Sequence, residues 1–117
     1  MEHDPLALAH KIVDVAADRQ ASDIVLLDLR QLSSLADYFV IASGNSERQL
    51  EALDRQIVDQ VFEELHVRPR QREGLSGSGW VLLDYGDVVV HLFGVTERDF
   101  YRLEDFWSQA PTVVRVQ

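Results

Sequence analysis

The sequence predicts an α/β (α+β) domain, a mixed sheet of four to five strands flanked by helices. Two observations carry this. Two segments place apolar residues at three- and four-residue spacing, and four short runs rich in branched apolar residues lie between and after them, set off by polar or glycine-bearing breaks. The order helix, strand, strand, helix, strand, strand, helix then requires helices packed on a sheet that mixes strand directions.

The first helix starts at Asp4-Pro5, a capping acid followed by proline at the first helical position. Leu6, Ala9, Ile12, Val13 and Ala16 then share one face, and the helix is expected to end near Asp18. Asp23 to Leu29 and Asp37 to Ser43 read as buried strands, separated by a polar break at Ser33-Ser34. Ser46, with Gln49 three residues on, forms a capping box ahead of Leu50, Leu53, Ile57, Val61 and Leu65. That helix runs out in a long loop marked by Pro69 and three glycines and carrying Arg68, Arg70 and Arg72. The loop arginines read as solvated, with a phosphate contact beside a partner as the sharper alternative.

Trp80 to Phe93 reads as two strands joined by a tight turn at Tyr85-Gly86. Thr96 and Asp99 resemble a capping box that starts a last helix through Trp107, and Pro111 stops it. Residues 112–117 read as a short edge strand. With 117 residues and 46% hydrophobic content, the chain fits one domain over residues 1–117.

The chain contains no cysteine, which removes disulfides and thiolate chemistry and suits a reducing cytosol. His3, His10, His66 and His91 are scattered and show no metal-ligand spacing, so no metal site is expected. The start of the chain lacks the pattern of a targeting peptide, and no apolar run approaches the ~20 residues that span a bilayer. A soluble, cytoplasmic protein without membrane contact is expected. The net charge of −9 repels bare nucleic acid and favours basic protein partners.

Residues 91–107 hold five of the ten aromatic residues, threaded with charges. On one continuous helix, Phe100, Leu103 and Trp107 would face the core with Phe106 at the margin, while Tyr101 and Asp105 would face away beside Arg98. Strand alternation puts Asp87, Val89, His91 and Phe93 on one face and Val88, Val90 and Leu92 on the other. His91 alone reads as a partly buried core histidine. With Trp80, Tyr101, Asp84 and Asp87 near it in the chain, a second reading competes: aromatic anchors ringed by carboxylates, which suit a basic, partly apolar patch on another protein.

Catalytic signatures are missing. The stretch SGNS, Ser43 to Ser46, opening a helix after a strand could offer backbone N–H groups to a phosphate and is faintly similar to the glycine-serine step of nucleotidyltransferases. Those enzymes hold magnesium with two acids one residue apart, whereas Asp84 and Asp87 stand three apart with a turn between them. No phosphate loop, dinucleotide fingerprint or nucleophile elbow is present. Ser43, Ser46, Ser76 and Ser78 read as turn or cap serines, and Lys11 is the only lysine. A divergent nucleotidyltransferase-like enzyme using the acids remains the alternative.

The stretches DIVLLDL, DYFVIASGNSERQLEAL, WVLLDYGDVVVHLF and RDFYRLEDFW together resemble the ribosomal silencing factor, or Iojap, family over Leu6 to Trp107. The most specific parts are Asp84 to His91 and Phe100 to Trp107. The resemblance implies a nucleotidyltransferase-like topology without catalytic residues or cofactor. It implies binding to the large ribosomal subunit through its protein number fourteen, steric block of joining with the small subunit, and repression of translation when nutrients are short. Organelle members assist large-subunit assembly, and homodimers are common in the family. The implied partner-binding residues are Trp80, Asp84, Asp87, His91, Phe93, Tyr101, Glu104 and Asp105, with no sequence-specific nucleic-acid contact. Gly79 departs from the family pattern, where an acid usually precedes the tryptophan. No function is carried over to Arg68, Arg70 and Arg72.

Overall fold

The structure, a computed structural model, describes residues 4–74 and 76–117; His3, one of the scattered histidines, lies outside the described residues. Its elements are α1 (Pro5–Asp18), β1 (Ser22–Asp28), β2 (Tyr38–Gly44), α2 (Glu47–Leu65), β3 (Gln71–Glu73), β4 (Trp80–Asp84), β5 (Val88–Gly94), α3 (Val95–Tyr101), α4 (Leu103–Phe106) and β6 (Thr112–Val116). A single 3-10 turn, Ser76–Ser78, precedes β4. The strands form one open sheet in the order β3-β4-β5-β2-β1-β6, antiparallel at every step except the parallel β2–β5 pair.

The fold class is as the sequence predicts, but the sheet has six strands instead of four to five. The addition is β3, which is exposed throughout and lies in the segment read as a loop. Gln71 and Glu73 lie opposite Asp84 and Leu82 in register, so this strand owes its existence to a ladder formed elsewhere and carries no apolar pattern of its own.

Both longer helices begin as their sequences require. Asp4 accepts a hydrogen bond from the Leu6 N–H at 3.1 Å. Ser46 Oγ accepts from Gln49 N–H at 3.0 Å, and Gln49 Oε1 reaches back to the Asn45 N–H at 2.6 Å, one residue before the cap. The Gln49 amide also donates to the Gln20 carbonyl at 2.9 Å, tying the start of α2 to the end of α1.

Alternation splits the sheet into two faces. Ile24, Leu26, Val40, Ala42, Val81, Leu83, Val90 and Leu92 face α1 and α2, where Leu8, Ile12, Leu50, Leu53 and Ile57 complete the main core. The opposite face carries a smaller cluster, Val25, Leu27, Leu29, Ile41 and Phe93, packed by Phe39, Trp80, Leu103 and Trp107.

The last helix departs from its prediction. It breaks at Arg102, which takes the left-handed conformation with φ of 50°, so α3 and α4 are separate turns with unrelated phase. Helical phase therefore fails for Phe100, which is 76% exposed where a continuous helix would bury it, while Leu103 and Trp107 do pack on the smaller cluster. The Thr96 capping box does not form. The helix starts two residues earlier, at Val95, with Gly94 as a cap that makes no side-chain bond.

Gly74 ends β3 with φ of +81°, and a Cβ there would fall on the Trp80 carbonyl oxygen. Gly74→Ala is expected to lower stability by about 1–3 kcal/mol, read as a reduced urea midpoint at unchanged m-value. An unchanged midpoint would mean that the β3–β4 pairing tolerates a shifted backbone.

Candidate functional site

The face away from α1 and α2 is only partly roofed. α3 and α4 cover its middle, and a strip along β3 and β4 stays open. Register places Trp80 opposite Phe93, Leu82 opposite His91, and Asp84 opposite Val89, all on this face. Phe39, Ile41 and Ser43 of β2 join them across the parallel step.

The expected site residues separate into layers. Phe93 is fully buried and His91 is 4% exposed, so neither offers a surface to a visitor. They form the floor. Trp80 lies over it, half-buried, with its ring centroid 4.9 Å from Phe93 and 4.7 Å from Tyr101. Tyr101 is 48% exposed, the outermost of the stack.

The expected acids are dispersed. Glu104 pairs with Arg98 at 2.8 Å, and Asp105 pairs with Arg102 at 2.8 Å. Asp84 sits four residues along β4 from Trp80, about 13 Å away at ordinary strand rise. There it accepts from the Gly86 N–H at 2.7 Å and faces Arg70 at 3.5 Å. The β4–β5 turn is a three-residue loop, Tyr85 to Asp87, closed by the Tyr85 N–H to the Val88 carbonyl at 2.9 Å. Asp87 is exposed in that loop, with its carbonyl accepting from the Asp37 and Tyr38 N–H groups. The structure thus gathers Trp80, His91, Phe93 and Tyr101 at one end of the hairpin and leaves Asp84 and Asp87 at the other.

Sequence reasoning missed the residues that lock this corner. Arg98, with its side chain only 10% exposed, donates from Nη1 to Ser43 Oγ at 2.9 Å and from Nε to Glu104 at 2.8 Å, joining β2, α3 and α4. Ser43 is a buried strand residue here, not a turn former. Phe39 packs edge-on to His91 at 4.5 Å and to Trp107 at 5.7 Å. Alternation along β2 pairs Phe39 with Ser43 on one face, but only the β2–β5 register reveals that this is the face of His91.

His91 is held in one protonation state. The Trp80 indole N–H, a donor only, reaches its Nδ1 at 3.2 Å, so that nitrogen is the acceptor and Nε2 carries the proton. Nε2 has no partner among the described residues. Burial pushes the imidazole pKa down to about 4, so the ring is neutral at physiological pH.

The loop arginines are engaged with the protein itself. Arg72 donates to both carboxylate oxygens of Asp54 at 2.8 Å, Arg70 faces Asp84, and the Arg68 guanidinium lies 3.7 Å from the Phe62 ring centroid.

Two other places could hold ligands. A hollow of about 250 Å³ opens at the start of α2, bordered by Gly44, Gly79 and Gly94. Glu47 and Glu97 line it, and the Glu97 side chain fills the space where a Cβ on Gly79 would go. Two carboxylates there oppose a phosphate. The glycine at 79, with φ of +79°, fits because Glu97 occupies the room that a side chain would need. A second hollow, on the far side of α3, is lined by Arg98, Arg102 and four acids. Among the described residues, no group of three or more His, Cys, Asp or Glu could hold a metal ion, and no helix is long and apolar enough to cross a membrane.

A family model described as "Ribosomal silencing factor during starvation" matches residues 2–117. A protein of Bacillus subtilis named ribosomal silencing factor is 46% identical over 94 residues, 80% of this chain and 79% of its own length. A crystal structure of a Chromobacterium violaceum protein superposes with a TM-score of 0.85 at 32% identity, covering 91% of this chain and 88% of that one. A mouse protein named for mitochondrial assembly of the ribosomal large subunit is 31% identical over 100 residues, 83% of this chain and 43% of its own length.

The depressed His91 pKa sets a pH dependence. Between about 6.5 and about 4 the unfolded chain takes up a proton at this residue that the fold refuses, so His91 stabilises the fold above pH 6.5 and this contribution is lost as pH falls towards 4. The span corresponds to a loss on the order of 3 kcal/mol at most. Urea unfolding of the wild type and of His91→Gln, whose amide oxygen can still accept from Trp80, should differ in pH slope across this window. Parallel slopes would locate the acid sensitivity elsewhere.

Proposed function

Because the chain belongs to the ribosomal silencing factor family, we propose that it is a non-enzymatic regulator that binds the large ribosomal subunit and blocks joining with the small one, repressing translation when nutrients are limiting. The observation that carries the docking site is the Trp80–Tyr101 pair, a half-buried and an exposed ring beside the buried Phe93 and His91. Rigid aromatics at the edge of an open face are the residues that dominate binding energy at protein interfaces. Glu104 and Asp105 follow Tyr101 in the chain while Asp84 and Asp87 lie at the far end of the hairpin, and this acidic surface suits a basic protein, for which large-subunit protein number fourteen is the proposed partner.

A steric mechanism follows from size. The molecule exposes 6789 Å², and a standard interface uses about 800 Å² per partner. One docking face fits within roughly an eighth of this surface. Occupancy of the joining face excludes the small subunit in proportion to affinity and concentration, and no bond need be made or broken. The proposed setting is the cytoplasm, with self-association into homodimers as a competing use of the same face.

The mouse relative's name supports a second use, assistance to large-subunit assembly, through the same contact. The enzymatic alternative has less to stand on, since Glu47 and Glu97 line the hollow at α2 and Asp84 is tied to a turn.

Trp80→Ala and Tyr101→Ala should each weaken co-sedimentation with large subunits by more than about 1 kcal/mol, and both should restore 70S formation in a subunit-joining assay. Wild-type binding by both folded variants would remove the docking site from this corner. Accumulation of immature subunits in cells, with joining unaffected, would favour the assembly role.

A further inference from the structure

A groove of about 320 Å³ runs beside the aromatic pair, lined by Glu73, Gly74, Ser78, Trp80, Leu82 and Tyr101. Trp80, Leu82 and Tyr101 give it an apolar lining, and Glu73 is its one carboxylate. Glu73 belongs to β3, opposite Leu82 in register, and therefore stands on the same face as Trp80.

We propose that this groove is a subsite for a single basic side chain, lysine or arginine, presented by the protein partner. The inference rests on the docking reading above and assigns that reading its charge-selecting residue, Glu73.

The argument is one of unspent charge. Of the acids assigned to the docking face, Asp84, Glu104 and Asp105 are each matched to an arginine of the same chain. Glu73 makes no ion pair among the described residues, although arginines precede it in sequence at 70 and 72. Strand alternation explains why. Arg72 points to the opposite face, where Asp54 takes it in a two-oxygen contact, and Arg70 lies towards Asp84 at the far end of β4. The nearby cations are held elsewhere, and a carboxylate is left beside two aromatic rings.

The rings suit a cation. Trp80 spends its indole N–H on His91, which fixes the ring and leaves its face as the remaining interaction surface. Tyr101 stands 4.7 Å away at 48° to it, so the two rings form an open corner. A guanidinium or ammonium against such a corner is attracted by the ring faces, while its aliphatic stem lies on Leu82. Glu73 supplies the formal charge that a neutral apolar visitor would leave unpaired.

Equilibrium co-sedimentation with purified large ribosomal subunits, at two potassium chloride concentrations, tests this. Glu73→Gln should weaken binding about tenfold and flatten its salt dependence, and Glu73→Lys should weaken it further. Glu73→Asp should recover part of the loss. Asp59→Asn, exposed on α2, serves as the control and should bind as the wild type. If the Glu73 variants bind normally while Trp80→Ala does not, the subsite is wrong and the docking face stands. If Trp80→Ala and the Glu73 variants all bind normally, the docking face itself is wrong. Weakening of Glu73→Gln with an unchanged salt slope would overturn the cationic assignment. So would a Glu73→Lys effect confined to self-association in analytical ultracentrifugation.

Discussion

The hydrogen bond from the Trp80 indole to Nδ1 of His91 organises the open face of the sheet. It crosses the β4–β5 ladder and joins a half-buried ring to a buried one, so the exposed part of Trp80 cannot rotate without leaving a buried acceptor unpaired. Phe93 and Tyr101 both pack against the same indole, with ring centroids 4.9 and 4.7 Å away. A surface aromatic held this way keeps little rotamer freedom to lose on binding, which is the condition for it to act as an anchor. The neutral state of His91 belongs to the same constraint, because a proton on Nδ1 would remove the acceptor that fixes the indole.

Much of this fold was legible in the sequence, and the illegible parts share a cause. Periodicity and capping located α1 and α2 because their signals are local: Asp4, Ser46 and Gln49 act within a few residues of themselves. Alternation correctly put His91 and Phe93 on the face away from Leu92. What it could not supply was depth, and depth depends on what covers that face. Phe39, Trp107 and the Arg98–Glu104–Ser43 link provide the cover, and they come from three other elements. The same holds for β3. Nothing in its sequence marks a strand, and it forms because β4 offers a free edge.

The failure at Phe100 is instructive in a different way. A helical wheel assumes constant phase, and one left-handed residue at Arg102 cancels it. Two exposed phenylalanines, Phe100 and Phe106, result, 76% and 77% accessible. They flank Tyr101 and Trp107 edge-on. The break also decides the charge layout, since it lets Arg98 turn inward to Glu104 while Arg102 pairs with Asp105 on the outside.

The position of the proposed contact follows from how little chain is available to roof the sheet. On one face α1 and α2, fourteen and nineteen residues long, bury the strands along their length. On the other, α3 and α4 contribute seven and four residues. That is enough to cover Val25, Leu27, Ile41 and Phe93, through Leu103 and Trp107, and it stops short of β3 and β4. An uncovered strip of sheet would ordinarily be made polar to keep the protein from adhering to others. Here the strip carries Trp80, Leu82 and Tyr101 with Glu73 at its margin, in a chain of net charge −9. Long-range repulsion between acidic copies discourages indiscriminate contact while the same field attracts a basic protein. The apolar strip therefore stays available to a partner of opposite charge.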